Sequence, residues 1–233
     1  MYPTSDTWRA LINDPESVFE TKAIIAGVTH GEDELISLTV AQQMFPGKQP
    51  GVGGCLAAEL DLTMLMPAET VPRMAQIRPY VRAVKGSTVS EWIPQGIFYI
   101  DTRETTANDD GLDVFTVHAF DAMLKTEADY PATAHDWPMA DIDVVEEIAA
   151  AIGVGVDPRT AELMDKAYPI SLPAGYSMRE VLGNIAAMYA GNWIMNFDGD
   201  LLLIAVNGIP PETNYLVDSA GDAITFGGDR ILV

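Results

Sequence analysis

The side chains that chemistry would need are three histidines, one cysteine and several close-set carboxylates. His30 stands in a glycine-containing turn, His118 in an alternating stretch, and His135 after Pro131; none has metal-ligand or catalytic-pair spacing. Cys55 lies between Gly54 and Leu56 with no histidine or asparagine near it, so it reads as structural rather than nucleophilic. A single cysteine also excludes an internal disulfide and a cysteine-based zinc site. Asp198-Gly199-Asp200 resembles the start of a calcium loop, but the twelfth position is Ile209, where an EF-hand needs glutamate. It reads as a turn. Asp109-Asp110-Gly111 reads as a hairpin turn and Asp141-Ile142-Asp143 as a helix cap. Gly51-Val52-Gly53-Gly54 precedes a strand and lacks the Lys-Ser/Thr of a phosphate loop, so a flexible loop is expected. No Gly-x-Ser-x-Gly elbow occurs. The expectation is a protein that is not an enzyme, with no catalytic residues, no cofactor and no metal.

Charge carries more information. The chain has 34 acidic and 13 basic side chains and a net charge of −21. Phosphates are normally gripped by lysine and arginine, so such a surface repels nucleic acid. The excess is uneven. Residues 51–100 balance four acids against Arg73, Arg78, Arg82 and Lys85, whereas residues 101–150 carry thirteen acids and two bases. Arg78 and Arg82 point to one face of an extended segment. In so acidic a chain, Arg73, Arg78, Arg82 and Lys85 are a candidate subunit interface with a neighbour's acidic region. A solvated strand face is an equal alternative.

The elements that position these groups can be read in turn. The 233 residues, 48% of them hydrophobic, suffice for one large domain or two small ones. The longest apolar runs are far too short to cross a bilayer, and the N-terminus has no basic or apolar leader, so neither membrane insertion nor secretion is expected. Folding in a reducing cytoplasm is the simplest reading. Trp8, Leu11 and Ile12 have helical spacing, stopped at Asp14-Pro15. Residues 18–25 and 34–45 read as extended, around a turn at 27–33. Residues 56–65 alternate cleanly, with Leu56, Ala58, Leu60 and Leu62 on one face. Strands follow at 76–84, 90–101 and 112–119, then a short helical stretch at 120–127. A helix is expected from Asp141 to about Ile152, with Asp143 and Glu146 as capping box and Gly153 as stop. A second is marked by Ser177 and Glu180, with a Val181, Leu182, Ile185, Ala186 and Tyr189 stripe and Gly191 as its end. A hairpin turning at Asp198-Gly199 follows, then a linker at 207–211 and renewed strand character over 214–233. The fold class is therefore α+β: an antiparallel β-barrel or sandwich over residues 1–130, a helix–helix–β-hairpin insertion over 131–210, and the start of a second β domain at 211–233. The apolar end Ile231-Leu232-Val233 suggests a chain truncated before its next strands.

Two stretches carry a family likeness. One is Ser90-Glu-Trp-Ile-Pro-Gln-Gly-Ile-Phe-Tyr-Ile-Asp101 followed by Phe115-Thr-Val-His-Ala-Phe-Asp-Ala-Met-Leu-Lys-Thr-Glu127 and Tyr130. The other runs from Tyr176 to Trp193 and on to Phe197-Asp-Gly-Asp-Leu-Leu-Leu-Ile204. Together they resemble tail-tip proteins of phages and prophages of Gram-positive bacteria, with Thr126 standing where that family tends to have leucine. The resemblance implies a virion structural protein, a baseplate-hub or tail-tube-like building block. Its tube-like β domains would join as a trimeric or hexameric homo-oligomer ring with other tail proteins, assembled in the host cytoplasm. DNA would pass through an acidic lumen without specific binding. Two alternatives are a receptor- or carbohydrate-binding module, which would display Trp8, Trp92, Trp137 or Trp193, and a non-catalytic fragment of a tail-associated cell-wall hydrolase. Core burial is the expectation for Trp92 and Trp193.

Overall fold

The computed structural model describes residues 3–45, 47, 51–67, 69–107, 111–131, 136–205 and the short pieces 225–226 and 229–230. Its first element is the helix α1 (Asp6–Ile12), capped by Ser5, whose hydroxyl accepts the Trp8 amide. The alternating stretches then form β1 (Val18–Ile25), β2 (Val28–His30), β3 (Leu35–Ala41), β4 (Glu59–Leu65), β5 (Gln76–Lys85), β6 (Thr88–Val89), β7 (Ile93–Pro94), β8 (Phe98–Ala107) and β9 (Asp113–Asp121). Among the described residues these make one antiparallel sheet in the order β2-β1-β5-β8-β9-β4-β3, with β6 and β7 added to β5.

The sheet differs from the sequence reading in two places. The expected turn at 27–33 contains β2, because Ala26 and Gly27 (φ 49° and 89°) reverse the chain in two residues. The expected strand at 90–101 is split. Gly96, at φ 119°, packs against the Phe98 ring and separates β7 from β8. The hairpin signal at residues 108–110 lies outside the described residues.

One face of the sheet is dry. Ala23, Ile25, Leu60, Leu62, Met64 and Ile77 are almost wholly buried, joined by Phe98, Ile100, Val117 and Ala119. The predicted inward face of residues 56–65 is the one observed. The edge strands β2 and β3 are consecutive in the chain, so the sheet curls back toward itself. Among the described residues, no ladder joins β2 to β3.

A second hydrophobic core lies among the helices. After a 3-10 turn (Ala122–Glu127) and β10 (Met139–Ala140) come α2 (Asp141–Ile152), α3 (Pro158–Leu163), β11 (Pro169–Ile170), α4 (Met178–Met188), β12 (Gly191–Met195) and β13 (Leu201–Ala205). Val144, Ile148, Leu182, Ile185 and Leu201 converge on Trp193, which is fully buried. The Trp193 indole donates to the Leu182 carbonyl (2.7 Å). The Ser177–Glu180 capping box of α4 is present as predicted.

The cap of α2 is not the predicted one. Ala140 occupies the cap position, because Met139 and Ala140 are committed to pairing with β11. The carboxylate of Asp141, fully buried, instead accepts the Tyr189 hydroxyl (2.6 Å). Gly153 does end α2 in the left-handed conformation. At α4 that role falls to Ala190 (φ 49°), and Gly191 begins β12. The helix α3 and the β10–β11 pair gave no periodic signal. The predicted linker at 207–211 and most of residues 214–233 lie outside the described residues. Within the latter, β14 (Thr225–Phe226) pairs with β15 (Asp229–Arg230).

The two cores share chain. The segment at 53–56 runs beside β12, with Gly53 N–H donating to Gly191, Leu56 N–H to Trp193 and Trp193 N–H to Gly54 (each 2.8 Å). The expected Gly-rich loop is irregular, as predicted, but it is pinned to β12 by these hydrogen bonds and by one isolated bridge, Cys55 to Trp193. Gly53 and Gly183 touch there: a Cβ on Gly183 would meet the Gly53 carbonyl oxygen at 2.8 Å. Only glycine allows that approach.

Candidate functional site: the charged outer face of the sheet

The face of the sheet opposite the dry core carries the groups singled out by charge. Across β1 and β5, Glu20 stands opposite Arg82, Lys22 opposite Tyr80 and Ile24 opposite Arg78. Arg78 and Arg82 therefore share the outward face, as alternation requires. Arg82 is held by Glu20 (2.5–2.6 Å) and lies over the Trp92 ring, 4.4 Å from its centroid. Lys22, which sequence reasoning did not single out, lies 4.4 Å from the same ring and 5.1 Å from that of Tyr80. Trp92 is half-buried against these cations, not in the core as expected. The signal available in sequence was the register alone, since Lys22 and Arg82 meet only once β1 and β5 pair.

The other two bases go elsewhere. Lys85 closes onto Asp14 (2.6 Å) and Glu16 (3.0 Å) at the end of α1, which lowers the Asp14 pKa and raises that of Lys85. Arg73 lies before β5, beside Asp101 and Arg103. The structure thus brings Arg78 and Arg82 together and sets Arg73 and Lys85 apart from them.

Arg78 also lines a cleft of about 270 Å3 where the sheet meets the helical part. Gln76 and Tyr99 form one wall, and Gly153–Gly155 and the Asp198–Asp200 turn the other. Beside it, Lys125 Nζ sits 3.7 Å from the Tyr99 ring centroid and donates to the Ile152 carbonyl (3.1 Å). Asp198-Gly199-Asp200 forms the predicted turn. Asn196 Oδ1 accepts the amides of Asp198 and Asp200 (2.9 Å each).

The remaining reactive types are tied into the fold. His30 is buried, with Nδ1 2.9 Å from Glu34 and Nε2 3.3 Å from Glu69. His118 pairs with Asp61 on the outer face (2.8 Å). His135 lies outside the described residues. Burial pushes the Cys55 thiol up to about 12, so the thiolate a nucleophile needs is absent at neutral pH. Burial also raises the Asp121 carboxyl to about 6, although it accepts the amides of Ala58 (2.8 Å) and Met123 (2.9 Å). Asp157 is held well below the usual range by Arg159 (2.6 Å). Among the described residues, no group of three or more His, Cys, Asp or Glu side chains is placed to hold a metal.

No protein-family model matches the sequence, and no curated protein matches it. Solved structures do. A tail protein from Neisseria meningitidis MC58 superposes over 88% of this chain and 58% of its own, with a TM-score of 0.53 and 12% identity. The 43 kDa tail protein of prophage MuSo2 from Shewanella oneidensis superposes over 90% of this chain and 61% of its own, with a TM-score of 0.56 and 10% identity. The chain therefore spans about three-fifths of each, and at these identities the likeness is one of fold.

Proposed function

We propose that this chain is a structural protein of a phage or prophage tail, a building block of the baseplate-hub ring that joins the tail tube to its tip. The observation that carries this reading is the shared fold. Two proteins described as tail proteins match nearly the whole chain, across the curled sheet and the helical part alike. The motif likeness over residues 90–130 supports a tip position and a Gram-positive host. The charge of −21 supports a passage through which DNA slides unbound. The mechanism is assembly and passage rather than catalysis. Partners are further copies of the chain, in a trimer or hexamer, and neighbouring tail proteins.

Negative-stain electron microscopy of the concentrated protein tests this. Three- or six-fold rings with a central hole are expected. Compact monomers under all conditions, with or without a tail-tube partner, would count against it.

A further inference from the structure

The outer face of the sheet is divided by sign. Its β1–β5 half presents Lys22, Arg78 and Arg82 around Trp92 and Tyr80, with Glu20 paired to Arg82 among them and Glu32 at the β1 edge, where it accepts the Thr21 amide. Lys22 makes no ion pair with any described residue. Its ammonium rests on aromatic rings instead. The β8–β9–β4 half is the opposite. There Glu104 faces outward opposite Thr116, Asp61 opposite His118, and Glu59 opposite Phe120. All three carboxylates are exposed, and Glu59 and Glu104 have no cationic partner among the described residues. The one arginine of these strands, Arg103, turns away and donates to the Val71 carbonyl.

We propose that these halves are the two sides of one contact between copies: the Lys22–Arg82–Trp92 surface of one chain docks on the Glu59–Asp61–Glu104 surface of the next. Charge complementarity selects a second copy. In a chain this acidic, Lys22 and Arg78, which make no ion pair with any described residue, share one surface with the Glu20-paired Arg82, and the same sheet carries the carboxylates that fit them. The two surfaces are different patches, so the contact is head-to-tail. Such contacts propagate and close into rings when the rotation allows. The inference rests on the homo-oligomeric reading above and supplies its interface. The aromatic rings contribute the desolvated centre that cations at an interface favour.

Single-cysteine cross-linking tests the geometry, because Cys55 is buried and unreactive. Lys22→Cys and Glu104→Cys proteins, mixed and treated with a short bismaleimide, are expected to give a cross-linked dimer that neither gives alone. In sedimentation, Lys22→Glu and Glu104→Lys are each expected to weaken self-association about tenfold, and the Lys22→Glu/Glu104→Lys double variant to restore it. Circular dichroism of each variant checks folding. Wild-type rings that persist in both single variants, with no mixed cross-link, would overturn this interface while leaving the ring. A wild-type chain that stays monomeric in sedimentation and shows no cross-link would overturn both. Binding of the Lys22 surface to an acidic tail protein in preference to its own copies would also overturn it.

Discussion

Asp121 joins the two cores through two backbone amides, and its titration is a stability lever. Burial lifts its pKa from an ordinary 3.8 to about 6, so between these values the folded chain holds a proton that the unfolded chain has released. The stability it contributes is fully present below about pH 3.8 and is lost as pH rises through about 6. A displacement of this size corresponds to on the order of 3 kcal/mol. Asp121→Asn, neutral throughout, is expected to flatten that part of the pH dependence, read as urea midpoints at about pH 4 and pH 7. Arg179 is a second joint. It donates to the carbonyls of Cys55 (2.5 Å) and Met123 (3.1 Å), and its Nε lies 2.6 Å from Glu127. Arg179→Met strands two carbonyls, and we expect a loss of roughly 2–4 kcal/mol in urea unfolding. Neither role is visible in sequence. Asp121 and Arg179 look like ordinary members of a strand and a helix until the chain returns to them.

At the scale of elements, the contact between α4 and the 53–56 segment gives a prediction whose sign is decided by space. Alanine is favoured over glycine inside a helix by about 1 kcal/mol. At Gly183 the new methyl would meet a backbone oxygen at 2.8 Å, and backbone cannot swing aside as a side chain can. Gly183→Ala is therefore expected to destabilise by roughly 1–3 kcal/mol, measured by thermal unfolding. Ser177→Ala, which removes only the α4 cap, is expected to cost about 1 kcal/mol. What could be read from sequence follows the same logic. β1, β4, β5, α2 and α4 were legible because period and burial coincide over many residues. The Asp143–Glu146 cap failed because β10 had already claimed the residue before the helix. The Gly-rich segment is the loop expected, but its attachment to β12 is not legible in sequence, because β12 lies more than 130 residues away. The charged face was half legible: composition pointed to Arg78 and Arg82, but only strand register brings in Lys22, Trp92 and the carboxylates opposite.

For the whole molecule, the net charge predicts indifference to nucleic acid. Mobility of double-stranded DNA in a native gel is expected to be unchanged by excess protein even at low salt, where non-specific binding is strongest. A shift that vanished with added salt would reveal an organised cationic surface, and would move attention from Glu59 and Glu104 to Lys22 and Arg82. The 53–56 segment also bears on the order of events at the ribosome. That segment is made early but has no partner until β12 emerges, and β13 then takes the 155–157 segment on its other side. The curled sheet can form first, while the helical core must wait for a piece of chain already behind it. Long sequence separation of this kind slows folding. It also means that the helices cannot be cut out alone: a fragment beginning after residue 130 would leave β12 with a bare edge and Trp193 without its cover, and would be expected to aggregate rather than fold.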